Sequence, residues 1–168
     1  MATAQRLPFD PIAEARRQWT VNDWGVPAAM AAATSIMRAQ QLVLRRVDSA
    51  LAPFGLTFAR YEVLALLALS RRGELPMGKI GVRLMVHPAS VTNAVQRLEA
   101  DGLVRRTANP NDGRSILAEI TDSGRRLVER CTDQLNADVF AVVPIPVAQQ
   151  ERAFKALKGV RKAFGDFA

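Results

Sequence analysis

From Ala28 onward the apolar residues Met30, Ala33, Met37, Leu44, Val47 and Leu51 recur at alternating steps of three and four, with Gln40 filling the one missing place. That spacing predicts an amphipathic helix with a coiled-coil-like stripe. Pro27 suits its first position, where no N–H partner is needed, and Pro53 and Gly55 end it. Thr57 reads as the N-cap of a helix over Phe58 to Leu69. The run Val63-Leu64-Ala65-Leu66-Leu67-Ala68-Leu69 is apolar nearly all round, which fits a buried helix or a buried strand. Its length together with the preceding residues favours a helix at the centre of the core.

Met77 to Met85 reads as a short helix with Ile80 and Leu84 inward. His87-Pro88 then opens another, in which Val91, Val95 and Leu98 lie four and three apart and mark a buried face. Ala89, Ser90, Thr92, Asn93, Gln96 and Arg97 are left on the outer face. Gly102 closes this helix as a left-handed cap. Leu103 to Thr107 and Ser115 to Ile120 read as two short strands, joined by a tip rich in Asn-Pro and Asp-Gly turn signals. Thr121 caps a long helix expected to reach about Val143, with Leu127, Val128, Cys131, Leu135, Val139 and Val142 as its stripe. After the break at Pro144 and Pro146, a last helix carries Phe154, Leu157, Val160 and Phe164. Residues 1–27 read as an N-terminal arm with a short helix from Ile12 to Trp19.

Composition narrows the function classes. Hydrophobic residues make up 49% of the 168, which excludes general disorder. Lys plus Arg outnumber Asp plus Glu by 23 to 16, a net charge of +7, and this excess suggests a polyanionic partner. The longest uncharged runs, Trp24 to Met37 and Val139 to Gln150, fall short of the roughly 18 residues needed to span a bilayer. No apolar leader with a cleavage site is read at the N-terminus, and the single Cys131 allows no intramolecular disulfide, so a cytoplasmic location is expected. One His and one Cys do not make a zinc site of the usual kind, and neither a phosphate-binding Gly loop nor a nucleophilic triad is evident. We therefore expect neither a metal, nor a cofactor, nor an enzyme.

The order of elements carries the chemistry. A short helix, a tight turn at Met85-Val86-His87, a helix with an exposed polar face and then a hairpin is the layout of a helix-turn-helix followed by a wing. Ser, Thr, Asn, Gln and Arg on the outer face suit base edges, which demand donors and acceptors. Arg105, Arg106 and Arg114 on the hairpin suit phosphates or a narrow minor groove. The alternative reading is a basic interaction protein that uses the same face on acidic partners, or on DNA without sequence preference or a regulatory ligand.

Several blocks between Leu56 and Gly124 resemble the MarR family of multiple-antibiotic-resistance-type regulators. They are Leu-Pro-Met-Gly-Lys-Ile-Gly-Val-Arg-Leu (75–84), Pro-Ala-Ser-Val-Thr-Asn-Ala-Val-Gln-Arg-Leu-Glu-Ala-Asp-Gly-Leu-Val-Arg-Arg (88–106), Asn-Asp-Gly-Arg-Ser (111–115) and Ile-Thr-Asp-Ser-Gly (120–124). The resemblance implies that the helix from Pro88 to Ala100 reads the major groove. It implies that Arg114 enters the minor groove, held by Asp112, and that the first and last helices form a dimer interface. Many members carry Asp-Arg-Arg where this chain has Asp-Gly-Arg, so one wing contact is missing. The resemblance also implies a small, often aromatic and anionic effector. Arg45, Arg46, Arg60 and Tyr61 are candidates for holding it, with Trp19 and Trp24 as flat lids. A solvated or phosphate-facing role for the three arginines, and simple packing for the tryptophans, stay open.

The expectation is thus a mainly α fold with a small β-hairpin wing, a winged helix-turn-helix with N- and C-terminal dimerisation helices. An arm spans 1–27 and one regulator domain spans 28–168, with a DNA-binding lobe at about 57–121 and dimerisation helices at about 28–52 and 122–166. Its partners would be double-stranded DNA carrying a palindromic operator, a second copy of the chain and a small effector, with no membrane. Cys131 reads as a buried, inert thiol, and His87 as a residue at or near the recognition-helix N-cap.

Overall fold

The computed structural model describes residues 6–168, and the first five residues of the expected arm lie outside the described residues. The arm helix, α1 (Pro11–Val21), begins where Asp10 accepts the N–H groups of Ile12 and Ala13 at 2.9 and 3.2 Å, with Pro11 as its first residue. Helix α2 (Pro27–Leu51) runs for 25 residues, about 37 Å at 1.5 Å per residue. A single 3-10 turn over Ala52–Phe54 and Gly55, with φ of +69°, redirect the chain into α3 (Phe58–Ala68). The expected Thr57 side-chain cap is not made. Asp48, reaching across from α2, accepts the Phe58 N–H at 3.0 Å instead and so fixes the corner between the two helices. The ambiguous apolar run is helical, with Val63, Leu64 and Leu67 buried.

A short strand β1 (Glu74–Pro76), unforeseen in the sequence, precedes α4 (Met77–Leu84) and α5 (Pro88–Ala100). The hairpin strands are β2 (Val104–Ala108) and β3 (Ile116–Ile120). The sheet is three-stranded and antiparallel, ordered β1-β3-β2, with Leu75 opposite Ala118 and Arg105 opposite Glu119. Helix α6 (Asp122–Leu135) starts at Thr121, whose hydroxyl accepts the Gly124 N–H at 3.1 Å.

Regular α-helix ends at Leu135 rather than near Val143. Asn136–Phe140 form a wider turn, in which the Ala141 N–H reaches back to the Asn136 carbonyl at 2.8 Å. The wide turn keeps Val139 buried, while the Asp138 carbonyl accepts from Arg46 Nε of α2 at 3.0 Å. Helix α7 (Val147–Ala163) follows, and none of its residues is buried.

The core joins the end of α2 (Val47, Ala50, Leu51) to α3, α5, the sheet and α6, and includes Ile80, Val95, Leu98 and Cys131. Burial raises the Cys131 thiol pKa, as expected for an inert cysteine. Helix α1 packs against part of the rest of α2, but one stripe of α2 and all of α7 remain uncovered. Ile36, Met37, Leu42 and Val43 on the one, and Phe154, Leu157 and Val160 on the other with Phe164 just after it, face solvent in the single chain. Apolar surface on this scale marks an interface with another molecule. No single helix among the described residues is long and apolar enough to cross a membrane.

Candidate nucleic-acid interface

Helix α5 is built for presentation. Its N-cap is His87, whose Nδ1 accepts the Ala89 N–H at 3.2 Å, and Pro88 occupies the first helical position. The turn before it depends on Met85, which adopts a left-handed conformation with φ of +53° and puts α4 and α5 at an angle. At the other end Gly102 donates to Glu99 O at 3.0 Å and Leu103 donates to Leu98 O at 2.9 Å. This paired closure ends the helix sharply and sends the chain straight into β2.

Val91, Ala94, Val95 and Leu98 anchor α5 in the core, and Ala89, Ser90, Thr92, Asn93, Gln96 and Arg97 are all exposed. At 100° per residue, Ala89, Asn93 and Gln96 point most directly away from the buried face. Thr92 lies on a flank and donates its hydroxyl to the Pro88 carbonyl at 3.1 Å. Its donor is therefore spent, and its methyl and acceptor lone pairs are what it offers outward. Ser90, Asn93 and Arg97 line a shallow groove shared with Thr57 and Arg60 at the start of α3.

The wing divides its arginines. Arg114 sits at the exposed tip. Asp112 does hold this residue, but through the main chain: its Oδ1 accepts the Arg114 backbone N–H at 3.1 Å. The tip is further closed by Asn109 donating to Ser115 Oγ at 2.7 Å. Arg105, in contrast, pairs with Glu119 directly across the hairpin at 3.0 Å. Arg106 donates from Nε to Glu99 of α5 at 2.7 Å. Arg105 and Arg106, which by residue type suit phosphates or a narrow minor groove, thus each have a carboxylate partner at the wing base. The Arg105–Glu119 pair depends on strand register, and the Arg106–Glu99 pair on how α5 meets β2.

The proposed effector residues do not form one cluster within the chain. Trp19 and Trp24 pack edge to face at 5.1 Å, and Trp19 Nε1 donates to the Trp24 carbonyl at 2.8 Å, just before α2 begins. Arg45 and Arg46 lie in the last two turns of α2, and Arg60 and Tyr61 lie beyond its end, so nearly the full length of α2 separates the tryptophans from Arg60. In one chain the tryptophans cannot act as lids over those residues. Arg60 is tied to Gly55 O and, at 3.4 Å, to Asp101. Tyr61 is tied to Thr132 at 3.0 Å, while Arg45 is exposed. A cavity of about 270 Å³ lined by Arg46, Ser49, Ala50, Asp138 and Val142 lies where α2 meets the wide turn.

Comparison with known proteins agrees with this architecture. The family model described as "MarR family" matches residues 54–115, which span α3 to the wing tip. The HTH-type transcriptional repressor Rv2887 of Mycobacterium tuberculosis is 34% identical over 116 residues, covering 68% of this chain and 82% of that protein. The crystal structure of Sco5413, a MarR family transcriptional regulator from Streptomyces coelicolor, superposes with a TM-score of 0.77 at 54% identity. It covers 85% of this chain and 99% of its own. CouR from Rhodococcus jostii, solved with p-coumaroyl-CoA bound, superposes with a TM-score of 0.68 at 29% identity, covering 79% of this chain and 92% of its own.

Proposed function

The chain belongs to the MarR family of transcriptional regulators, and we propose that it works as a homodimeric repressor that grips a palindromic operator and releases it on binding a small aromatic or anionic effector. It is a DNA-binding regulator, and its family is one of regulators rather than enzymes. The observation that carries the proposal is the pairing of α5, with Ala89, Asn93 and Gln96 outward, with a wing whose exposed tip presents Arg114, its backbone held by Asp112 and its guanidinium in no ion pair among the described residues. Asn93 and Gln96 then read base edges in the major groove, and Arg114 meets phosphates or the minor groove.

The dimer is supported by the uncovered stripes of α2 and α7. A second copy related by a two-fold axis would bury them and place two α5 helices in successive major grooves, about 34–36 Å apart. Repression is supported by the activity named for the mycobacterial relative, and effector release by the ligand on the Rhodococcus one. The junction of α2 with the wide turn after α6 is where a ligand would act on the spacing of the two α5 helices, and the cavity beside Arg46 lies there. A cytoplasmic location follows from the same reading.

The test is a binding titration on duplex DNA across a salt series, repeated with a panel of aromatic acids. With about 6–10 phosphates neutralised, log K should fall against log salt with a slope of about −5 to −9. An active effector should weaken DNA binding by about 1–3 kcal/mol, the usual range of coupling between two sites. A monomer at micromolar concentration, or binding indifferent to salt, would contradict the proposal.

A further inference from the structure

Glu99 holds the base of the wing twice. Its Oε1 accepts the backbone N–H of Arg106 at 3.1 Å, and its Oε2 accepts Arg106 Nε at 2.7 Å. One carboxylate thus fixes both the position of strand β2 and the direction of the arginine it carries. The surrounding joint is already tight. Leu103 donates to Leu98 O at 2.9 Å, and Thr121 donates from its hydroxyl to Gly102 O at 2.9 Å and from its N–H to Leu103 O at 3.0 Å. Glu99 lies on α5 one turn beyond Gln96, on the same flank as Thr92, so it adjoins the face that the proposed function gives to DNA. The two side chains are each 33% exposed, which leaves the pair at the surface rather than in the core.

We propose that Glu99 is a specificity-determining positioning residue. It locks the wing to the recognition helix as one body and withholds the charge of Arg106 from the phosphates. This inference rests on the DNA-binding reading above. Binding without sequence preference is driven by cation–phosphate contacts and by the counterions they release, whereas sequence-selective binding also needs side chains held in register with base edges. A paired Glu99 and Arg106 carry no net charge and release no counterion. Glu99 therefore costs affinity on any duplex, and the rigid angle between α5 and the wing returns that cost only on the right sequence. Its carboxyl sits below the ordinary carboxylate range, chiefly because Arg106 hydrogen-bonds to it, as a lasting pair requires.

The variants Glu99→Gln and Glu99→Gln/Arg106→Gln separate this from the simple view that Arg106 is a phosphate contact. Each is measured beside the wild type on a selected operator and on an unrelated duplex, across a salt series. Glu99→Gln frees the guanidinium, so affinity for the unrelated duplex should rise about three- to tenfold at low salt, and the salt slope should steepen by about 0.9 per protomer. Operator affinity should not rise in step, so the ratio between the two duplexes falls. The double variant Glu99→Gln/Arg106→Gln removes both charges together, so it should leave the slope on the unrelated duplex as in the wild type.

Slopes unaltered in Glu99→Gln, or equal losses on both duplexes, would overturn the proposal. So would a slope that flattens by about 0.9 per protomer in the double variant. The double variant decides the matter should Glu99→Gln alone fail to fold. Failure of the DNA reading itself would show in the wild type, before any variant is compared. The lock is then read in the free protein by NMR. The Glu99 carboxyl should titrate low in the wild type and return to the ordinary range in Arg106→Gln, and an ordinary titration in the wild type would overturn it.

Discussion

The hydroxyl of Tyr61 on α3 meets Thr132 Oγ1 on α6 at 3.0 Å, and Thr132 Oγ1 donates its own hydrogen to the Val128 carbonyl at 2.7 Å. Tyr61 is therefore the donor of the first bond. This short relay joins the lobe that carries α5 to the helix that leads towards α7. Tyr61, a candidate ligand residue by sequence, has a tether as its role in the free chain.

Tyr61→Phe removes one half-buried hydrogen bond and keeps the ring. Stability should fall by about 0.5–1.5 kcal/mol, read from the midpoint of urea unfolding. An unchanged midpoint would mean that the tether contributes nothing.

The outer face of α5 should show a division of labour. Asn93→Ala should cost about 1–3 kcal/mol on the operator and relax the preference at one position per half-site. Thr92→Val should alter base preference little, because the Thr92 hydroxyl already serves the Pro88 carbonyl. Binding selections with each variant measure both effects, and intact preferences in Asn93→Ala would show that α5 is phased differently on DNA.

Gly124 sits where the first turn of α6 crosses the end of α5 and the start of β2. A Cβ there would stand 2.3 Å from the Leu103 carbonyl oxygen and 2.8 Å from Ile120. Gly124→Ala must push backbone aside, at a cost of about 1–3 kcal/mol, typical of overpacking. Thermal unfolding measures it, and an unshifted Tm would mean the helix start moves freely.

Glu62 is half-buried on α3, and burial raises its carboxyl pKa. For such a group the charged form is penalised in the folded state. The associated stability is therefore fully present below the unfolded pKa and is lost as pH rises through the folded one. Glu62→Gln should raise Tm at neutral pH, and the gain should shrink towards about pH 4, where the wild-type side chain is itself largely protonated. A gain of equal size at both pH values would point to packing rather than charge.

Most helices were legible in the sequence from one apolar face at helical spacing, and α3, apolar nearly all round, from its length. Val91, Val95 and Leu98 set the orientation of α5, and the exposed side chains of its outer face followed from it. The wing was legible from its turn residues. Strand β1 escaped because three residues, one of them Pro76, are too few to show alternation, and its pairing partner Ala118 is far away in sequence. The end of α6 escaped because its apolar stripe continues in register to Val142 while the hydrogen bonding widens at Asn136. Within the candidate site, residue types marked the exposed polar and basic side chains. They did not reveal which cations were already engaged, since the links from Arg105 to Glu119 and from Arg106 to Glu99 depend on hairpin register and on the angle between α5 and β2.

The central claim is that two copies of this chain read one two-fold symmetric sequence through α5. Selection of bound fragments from random duplex DNA tests it most directly. The account predicts enrichment of an inverted repeat with half-sites about 10–10.5 base pairs apart, centre to centre. Recovery of fragments with no shared sequence, or of a single unrepeated half-site, would contradict it.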